Sequence, residues 1–226
     1  MSSAHALGHQ LGLPPILNVT PIVFVVDNDS SFRESLELLI CCEGWRPETF
    51  ASAQEFLGRK RPLGPSCVIL GLSATDLNGL EVQKKIVQER AETPIIFVSA
   101  YGDIPTTVRA MKAGAVDFLM QPFRNEVLLG AIREGLERSR SALDREMEMR
   151  DLRDCYASLT PRERQVMALV VSGLLNKQVG GELGISEITV KAHRGQAMQK
   201  MQANSLPDLV RMAAKLRLTR HAIHLA

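Results

Sequence analysis

The segment LTPRERQVMALVVSGLLNKQVGGELGISEITVKAHRGQAMQKM, residues 159–201, decides the fold of the C-terminal part of the chain. Thr160, Pro161 and Glu163 predict a helix start. A threonine caps a helix, a proline suits its first position, and a glutamate three residues after the cap closes a capping box. This first helix is expected to stop at Gly173, since glycine readily adopts the left-handed conformation that ends helices.

A short second helix and a longer third helix follow in the same segment. The second is predicted over residues 176–183 with a stop at Gly184, and Ser186 caps a third helix that runs to about Gln202. Two helices joined through a tight turn that contains glycine, the second of them polar on one face, are typical of a helix-turn-helix. Ser205 is predicted to cap a last helix.

The two sides of the third helix differ in chemistry. At about 100° per residue, the core side is expected to hold Val190, Ala197 and Met201, flanked by His193. The opposite side carries one charge, two amides and two small residues: Lys191, Ala192, Gly195, Gln196 and Gln199. Small residues allow a helix backbone to approach base edges, and glutamine bonds adenine bidentately. Gly195 costs about 1 kcal/mol of helix stability relative to alanine, so it reflects either a close approach to DNA or simple tolerance.

The motifs LTPRE, NKQ, LGIS and TVKxH, in this order, resemble the LuxR-type DNA-binding domain, an all-α fold of four helices, over about residues 159–216. The resemblance implies that the partner is double-stranded DNA. The residues that it places at the DNA are Asn176, Lys177, Thr189, Lys191, Ala192, Arg194 and Gly195. Lys177 and Arg194 are expected at phosphates, and Gly195 stands where the family often has a basic residue.

The same resemblance implies a homodimer and a contact with RNA polymerase. In the LuxR-type family the last helix is a dimerisation surface. Apolar residues recur at helical spacing in the corresponding segment of this chain: Leu206, Leu209, Val210, Ala213 and Leu216. A dimer of helix-turn-helix modules is expected to read two half-sites whose spacing follows the symmetry of the protein.

Charge is unevenly distributed along the chain, although its net charge is only +2. Residues 1–124 carry 11 basic and 13 acidic groups, residues 125–155 carry 6 and 8, and residues 156–226 carry 10 and 4. The positive excess therefore lies in the segment with the predicted helix-turn-helix. This is the electrostatic pattern of a DNA-binding domain.

Composition argues against other classes of protein. The apolar runs are far shorter than a membrane span and no secretory signal pattern opens the chain, so we expect a cytoplasmic protein without a membrane partner. The four cysteines show no CxxC spacing, which argues against zinc. Cys41 and Cys42 are adjacent, which either a helix face or a redox role explains.

The N-terminal half alternates short apolar strands with helices. After residues 1–20, a predicted flexible tail, strands are expected at residues 22–26, 45–50, 67–70, 95–98 and 115–119. Ser31 and Ser52 are predicted to cap the helices that follow the first two strands. Strict β/α alternation predicts an α/β fold with a doubly wound parallel sheet in residues 21–124. The chemistry of such sheets lies at the carboxyl ends of the strands.

Two stretches, VFVVDNDSSFRESL and IIFVSAYGDIPTTVRAMKAGAVDFLMQPF, resemble the receiver domain of bacterial response regulators, over about residues 22–132. The resemblance implies a flavodoxin-like sheet of five parallel strands in the order 2-1-3-4-5. With the LuxR-type segment in residues 156–226, the whole chain resembles a FixJ/NarL-family response regulator, a DNA-binding regulator of transcription in a two-component system.

The phosphorylation site that this resemblance implies is incomplete. A receiver needs an acidic cluster for Mg²⁺, an acceptor aspartate, a lysine and a hydroxyl, because phosphoryl transfer to a carboxylate accumulates negative charge. The corresponding positions hold Asp27, Asn28, Gly71, Gln121 and Ser99, with Phe118 at the aromatic switch position. Only Asp27 and Ser99 keep the required groups. We therefore expect no Mg²⁺ site, no other cofactor and no aspartyl phosphorylation.

Two alternatives stay open. In one, phosphorylation persists through Asp27 or Asp29, whereas Asp76, five residues after Gly71, would not meet the same geometry. In the other, the receiver-like domain senses a small molecule or a protein partner that gates dimerisation and DNA binding. An enzyme is discounted, because no nucleophile–base pair and no cluster of metal ligands stands out.

Residues 125–155 are predicted to extend the last receiver helix into a linker helix. Apolar residues form one helical stripe with charged residues around it: Val127, Leu128, Ile132, Leu136, Leu143 and Met147. The pattern is equally typical of a short coiled coil with a second copy and of a solvated amphipathic connector.

Overall fold

The structure is a computed structural model that describes residues 19–72, 79–89, 93–100 and 104–218. The predicted tail up to residue 18 and Asp76 lie outside the described residues. The chain divides into two compact units, Met1–Asp144 and Arg145–Ala226. Each unit has hydrophobic cores of its own.

The N-terminal unit contains a parallel sheet of five strands in the order β2-β1-β3-β4-β5. The strands are β1 (Ile22–Val26), β2 (Arg46–Phe50), β3 (Ser66–Leu72), β4 (Ile95–Ser99) and β5 (Asp117–Met120). The predicted α/β fold and strand order are confirmed. β3 is longer than predicted because its last residues, Gly71 and Leu72, still pair with β4.

The inner strands are buried on both faces of the sheet. Every residue of β1 and of β4 is buried, as a continuous β-branched run predicts for a strand covered on both sides. Successive side chains point to opposite faces, so Val23 and Val25 belong to one core while Phe24 and Val26 belong to the other.

Helices connect the strands: α1 (Ser30–Cys42), α2 (Ala53–Gly58), α3 (Gly79–Glu89) and α4 (Ile104–Lys112). Ser52 caps α2 as predicted, and its Oγ accepts from the Glu55 N–H at 3.3 Å. The predicted cap of α1 was wrong. Asp29, not Ser31, caps this helix, because its Oδ1 accepts from the N–H groups of Ser31 and Phe32 at 2.9 and 3.2 Å. Ser31 lies inside the first turn.

The predicted linker is part of α5 (Asn125–Ala157), one continuous helix of 33 residues. Most of its predicted stripe is buried, namely Leu128, Ile132, Leu136 and Leu143, whereas Val127 and Met147 are exposed. Gly135 allows α5 to approach β3, because a Cβ there would lie 3.2 Å from the Cβ of Cys67. No helix in the described ranges is both long and apolar enough to cross a bilayer.

The C-terminal unit adds α6 (Pro161–Val171), α7 (Asn176–Leu183), α8 (Glu187–Lys200) and α9 (Leu206–Lys215). These helices match the predicted spans closely, and their glycine stops and serine caps are present. Leu152 from the end of α5 joins Met167, Met201 and Leu209 in one core. The predicted all-α domain is therefore confirmed in its helices.

The cysteines occupy different environments. Cys41 and Cys42 are exposed thiols at the end of α1, and Cys67 is buried in β3. Burial raises the pKa of the Cys67 thiol, so this residue behaves as a packed apolar group. The exposure of Cys41 and Cys42 is compatible with either interpretation of the pair.

Candidate nucleic-acid interface and sheet-edge site

The first helix of the candidate interface begins at the predicted capping box. Thr160 Oγ1 accepts from the Glu163 N–H at 3.3 Å, and Glu163 Oε2 accepts from the Thr160 N–H at 2.8 Å. Pro161 occupies the first turn, where an N–H would have no partner within the helix. α6 therefore starts at a defined residue. Its buried Val166 packs in a cluster with Val190 of α8.

An ion pair joins the start of α6 to the end of α8. Lys200 Nζ lies 2.7 Å from Glu163 Oε2, and Glu163 is only 5% exposed. The hydrogen bond from Lys200, supported by those from Thr160, holds the pKa of Glu163 below its ordinary value of 4.5 although burial opposes this. The pair fixes α8 against α6. Sequence reasoning missed Lys200, because no local pattern links residues 37 positions apart.

A tight turn holds α7 against α8. Gly184 adopts a φ of 65°, and the Ile185 N–H donates to the Gly180 carbonyl at 3.0 Å. A Cβ built on Gly180 would lie 2.7 Å from the Ile185 carbonyl oxygen. The backbones therefore approach more closely here than a side chain would allow without a shift. Val179 and Val190 are fully buried beneath the turn.

α8 has the two sides that the helical angles predict. Val190, Ala197 and Met201 are buried and His193 is half-buried, which confirms the core side. The opposite side is exposed along its length, at Lys191, Ala192, Gly195, Gln196 and Gln199. A Cβ on Gly195 would meet no described atom within 4 Å. Such openness is required for close contact with DNA, and the contacts themselves stay predictions.

Other predicted interface residues are engaged within the protein. Arg194 Nη1 donates to Asn176 Oδ1 at 3.3 Å, which links α8 to α7. The Thr189 hydroxyl lies 2.9 Å from the Ser186 hydroxyl at the helix cap. Lys177 is exposed in the first turn of α7. A phosphate contact by Arg194 would have to compete with its hydrogen bond to Asn176.

An exposed apolar residue, Ile188, lies at the start of α8, and sequence reasoning gave it no role. It precedes Lys191, Ala192 and Gly195 by three, four and seven residues, so it shares their side of the helix. Lys191 is itself paired with Glu187 at 3.1 Å in an exposed contact. The helical spacing that selected Lys191 also points to Ile188.

The second candidate site lies at the carboxyl ends of β1, β3 and β4. The strand register pairs Leu72 with Ser99, and Asp27 follows β1 directly. Asp27, Gly71 and Ser99 therefore lie at one edge of the sheet. Asn28, next to Asp27, is exposed.

The carboxylate of Asp27 occupies the space in which a side chain at position 71 would begin. A Cβ built on Gly71 would lie 2.7 Å from Asp27 Cγ and closer still to Oδ2. Asp27 Oδ1 accepts from the Asp29 N–H at 2.8 Å, and the Asp27 carbonyl accepts from Arg33 Nη1 at 2.7 Å. These bonds hold residue 27 in position, and the missing side chain of Gly71 leaves room for its carboxylate.

The remaining groups at this edge are bonded within the protein. Ser99 is 2% exposed, and its Oγ donates to the Leu72 carbonyl at 2.9 Å. The Gln121 N–H donates to the Ser99 carbonyl at 2.8 Å. Phe118 is buried, with its ring centroid 6.0 Å from that of Phe97. Within the described ranges, no three His, Cys, Asp or Glu side chains form a group that could hold a metal ion.

Comparisons with known proteins agree with this architecture. A family model described as response regulator receiver domain matches residues 23–133, and one described as bacterial regulatory proteins, luxR family, matches residues 157–213. Nodulation protein W of Bradyrhizobium diazoefficiens is 46% identical over 195 residues, 86% of each chain. Response regulator protein TmoT of Ectopseudomonas mendocina is 41% identical over 208 residues, 92% of this chain and 94% of the relative.

A solved structure is similar along most of the chain. The low-resolution structure of response regulator StyR superimposes with a TM-score of 0.77 at 44% identity. The match covers 87% of this chain and all of the other. A match over 87% of this chain includes residues of both of its units.

Proposed function

This chain belongs to the response regulators that join a receiver domain to a LuxR-type DNA-binding domain, and we propose that it acts without aspartyl phosphorylation of its receiver. Membership of this family makes the chain a transcriptional regulator. The conformational state of the receiver is then set by its own sequence and not by a phosphoryl group. The partner of the C-terminal unit is double-stranded DNA.

The observation that carries the proposal is the filled space at Gly71. An acceptor must present a carboxylate to the phosphoryl donor, and glycine has no side chain. The carboxylate of Asp27 lies where the Cβ of an acceptor would be placed. Gln121 is neutral, so it supplies no positive charge to offset the charge that phosphoryl transfer develops. The carboxylate of Asp27 therefore has no neighbouring lysine that would help it to accept a phosphoryl group from a donor.

The donor set at this edge does not fit a magnesium ion. Mg²⁺ prefers oxygen ligands in a near-octahedral arrangement and is commonly held by carboxylates. Asp27 provides one carboxylate and Asn28 only an amide, while Asp29 is engaged as the cap of α1 through Oδ1. No step of the proposed function passes through a metal ion.

A receiver without phosphorylation needs another way to fix its conformational equilibrium. The absence of a carboxylate at Gly71 removes like-charge repulsion from Asp27. This loss of repulsion favours a compact, active-like state, and in the structure Ser99 is hydrogen-bonded to Leu72 and Phe118 is buried without a phosphoryl group. We therefore expect DNA binding that requires no phosphoryl donor.

Treatment of the full chain with acetyl phosphate and Mg²⁺ tests this proposal. We expect intact-mass measurement to show no phosphorylated species and DNA affinity to stay unchanged. A response regulator with the complete acidic set, treated in parallel, is the positive control. A clear gain in DNA affinity, or a phosphoryl adduct that disappears in Asp27→Asn, would contradict the proposal.

DNA binding is supported by the open side of α8 and by the positive excess of the C-terminal segment. Phosphate contacts release counterions, so affinity is expected to fall steeply with salt.

We also infer a homodimer. Leu209 and Ala213 of α9 are buried in the unit's own core, but Val210 stays 41% exposed. Sedimentation of the full chain with and without duplex DNA measures its oligomeric state.

A further inference from the structure

Ile188 combines an apolar side chain with high exposure in a polar setting. It is 80% exposed, although it is a large β-branched residue in the second position of α8. Such exposure has no counterpart on the core side of the same helix, where Val190 and Ala197 are fully buried. Burial against an external partner would remove this apolar surface from water.

The neighbours of Ile188 define what that partner can be. Lys191, Ala192 and Gly195 share its side of α8, and the last two are too small to shield it. Lys177 and Lys191 are exposed cations of the same helix-turn-helix. An apolar protein surface would not match these cations, whereas a DNA major groove offers phosphates around an apolar group. That apolar group is the 5-methyl of thymine.

We propose that Ile188 is a specificity-determining residue that contacts the 5-methyl group of a thymine in each half-site. The inference rests on the proposed DNA binding and deepens it by naming a base and an atom. Its role differs from that of Lys191, because Ile188 discriminates by apolar contact and Lys191 acts through charge and hydrogen bonds. The small side chains of Ala192 and Gly195 allow the helix to come close enough for this contact.

Replacement of thymine by uracil tests the contact, because it removes only the methyl group. Duplexes that bind the full chain are first enriched from a random-sequence library. Each thymine of the best duplex is then replaced singly by uracil. We expect the wild type to lose about fourfold in affinity at one position in each half-site, roughly the value of burying one methyl group. Ile188→Ala should bind the thymine and uracil forms equally.

Ile104 provides a matched control. It is also an isoleucine, it is also 80% exposed, and it lies at the start of α4 in the N-terminal unit. Ile104→Ala should keep the wild-type preference for thymine over uracil. Ile188→Val, which retains a branched apolar side chain, should keep part of it. Thermal unfolding should be nearly unchanged in Ile188→Ala, because the side chain has few contacts to lose.

Every other outcome of these experiments contradicts either the role of Ile188 or the DNA binding on which it rests. If Ile188→Ala keeps the full preference for thymine, or if the wild type shows no preference at any position, the inference is wrong. Equal weakening of the thymine and uracil forms, with their ratio unchanged, would place Ile188 at the sugar–phosphate backbone and overturn it as well. Failure of the wild type to enrich any duplex would instead overturn the proposed DNA binding, and the inference with it.

Discussion

The sheet edge around Gly71 and the outer side of α8 differ in what occupies the space beside a glycine. Beside Gly71 the space is filled by the carboxylate of Asp27, and Ser99 nearby is bonded within the chain. Beside Gly195 the space is open, and the surrounding side chains are exposed. The first region is closed by the protein's own atoms, and the second is accessible to a partner.

The difference teaches how two kinds of site respond to substitution. Groups that act together in phosphoryl transfer are strongly non-additive, so the loss of one leaves little for the others to do. Contacts to DNA bases contribute about 1–3 kcal/mol each and are roughly additive when well separated. We therefore expect a DNA-reading surface to tolerate a residue such as Gly195, and we expect a receiver site with Gly71 at the acceptor position to lose its phosphoryl-transfer chemistry.

The largest expected effect concerns the ion pair that holds α8 in place. The exposed side of α8, at Lys191, Ala192, Gly195, Gln196 and Gln199, is called the open surface below. Glu163→Gln should lower the free energy of unfolding of the C-terminal unit by about 2 kcal/mol, because the buried carboxylate that pairs with the half-buried Lys200 is lost. Glu187→Gln, which removes the partner of Lys191 in an exposed pair, should cost less than about 0.5 kcal/mol. Denaturant unfolding measures both. Similar losses in the two variants would show that burial does not distinguish these pairs.

The same ion pair makes the stability of the C-terminal unit depend on pH, and the sign of this dependence can be predicted. Folding lowers the pKa of Glu163 from 4.5, so the folded state favours its ionised form. The resulting stability is present above the unfolded pKa and is lost as pH falls through the lower folded value. The difference in Tm between the wild type and Glu163→Gln should therefore narrow from about pH 7 to about pH 3. A constant difference over this range would contradict the role of the carboxylate.

A charge on the open surface should affect DNA binding and not stability. Lys191→Ala should weaken binding by about 1–3 kcal/mol if the side chain reads a base. Lys112→Ala removes an exposed positive charge from α4 of the N-terminal unit and should leave DNA binding nearly unchanged. Titration of the full chain against the same duplex measures both variants. Unchanged affinity and footprint in Lys191→Ala would remove this residue from the interface.

The closed region should resist a side chain at position 71. Gly71→Ala should cost about 1–2 kcal/mol, because the new Cβ and the carboxylate of Asp27 require the same space. The cost should largely disappear in an Asp27→Ala background, which a double-mutant cycle measures. Gly130→Ala, in an exposed position of α5 with no described atom within 4 Å of its Cβ, should instead gain about 0.5–1 kcal/mol. Additive effects of the changes at residues 27 and 71 would disprove the overlap.

The smallest expected effect separates stability from binding at the open glycine. Gly195→Ala should stabilise α8 by about 1 kcal/mol, because alanine favours helix more than glycine does. DNA affinity should fall at the same time, since the methyl group would hinder a close approach of the helix. Gly130→Ala should give a similar gain in stability with unchanged affinity. Equal affinity of Gly195→Ala and the wild type would favour simple tolerance of this glycine.

Prediction from sequence succeeded where local spacing determines structure. Thr160 and Glu163 lie three residues apart and form the predicted capping box. The apolar run of β1 predicted a strand buried on both faces. The prediction of the α1 cap was wrong. Ser31 and Asp29 are both suitable cap residues, and the sequence does not show at which of them the helix begins.

The sequence by itself determined the two kinds of domain and the order of their helices and strands, and it predicts an incomplete set of phosphorylation residues. These follow from helical and strand periodicity, capping residues and residue identity, all of which act over short distances along the chain. Only the tertiary structure decided that Asp27 fills the space beside Gly71 and that Lys200 holds Glu163. The residues of each pair are far apart in sequence, and their contact arises because packed strands and helices bring them together.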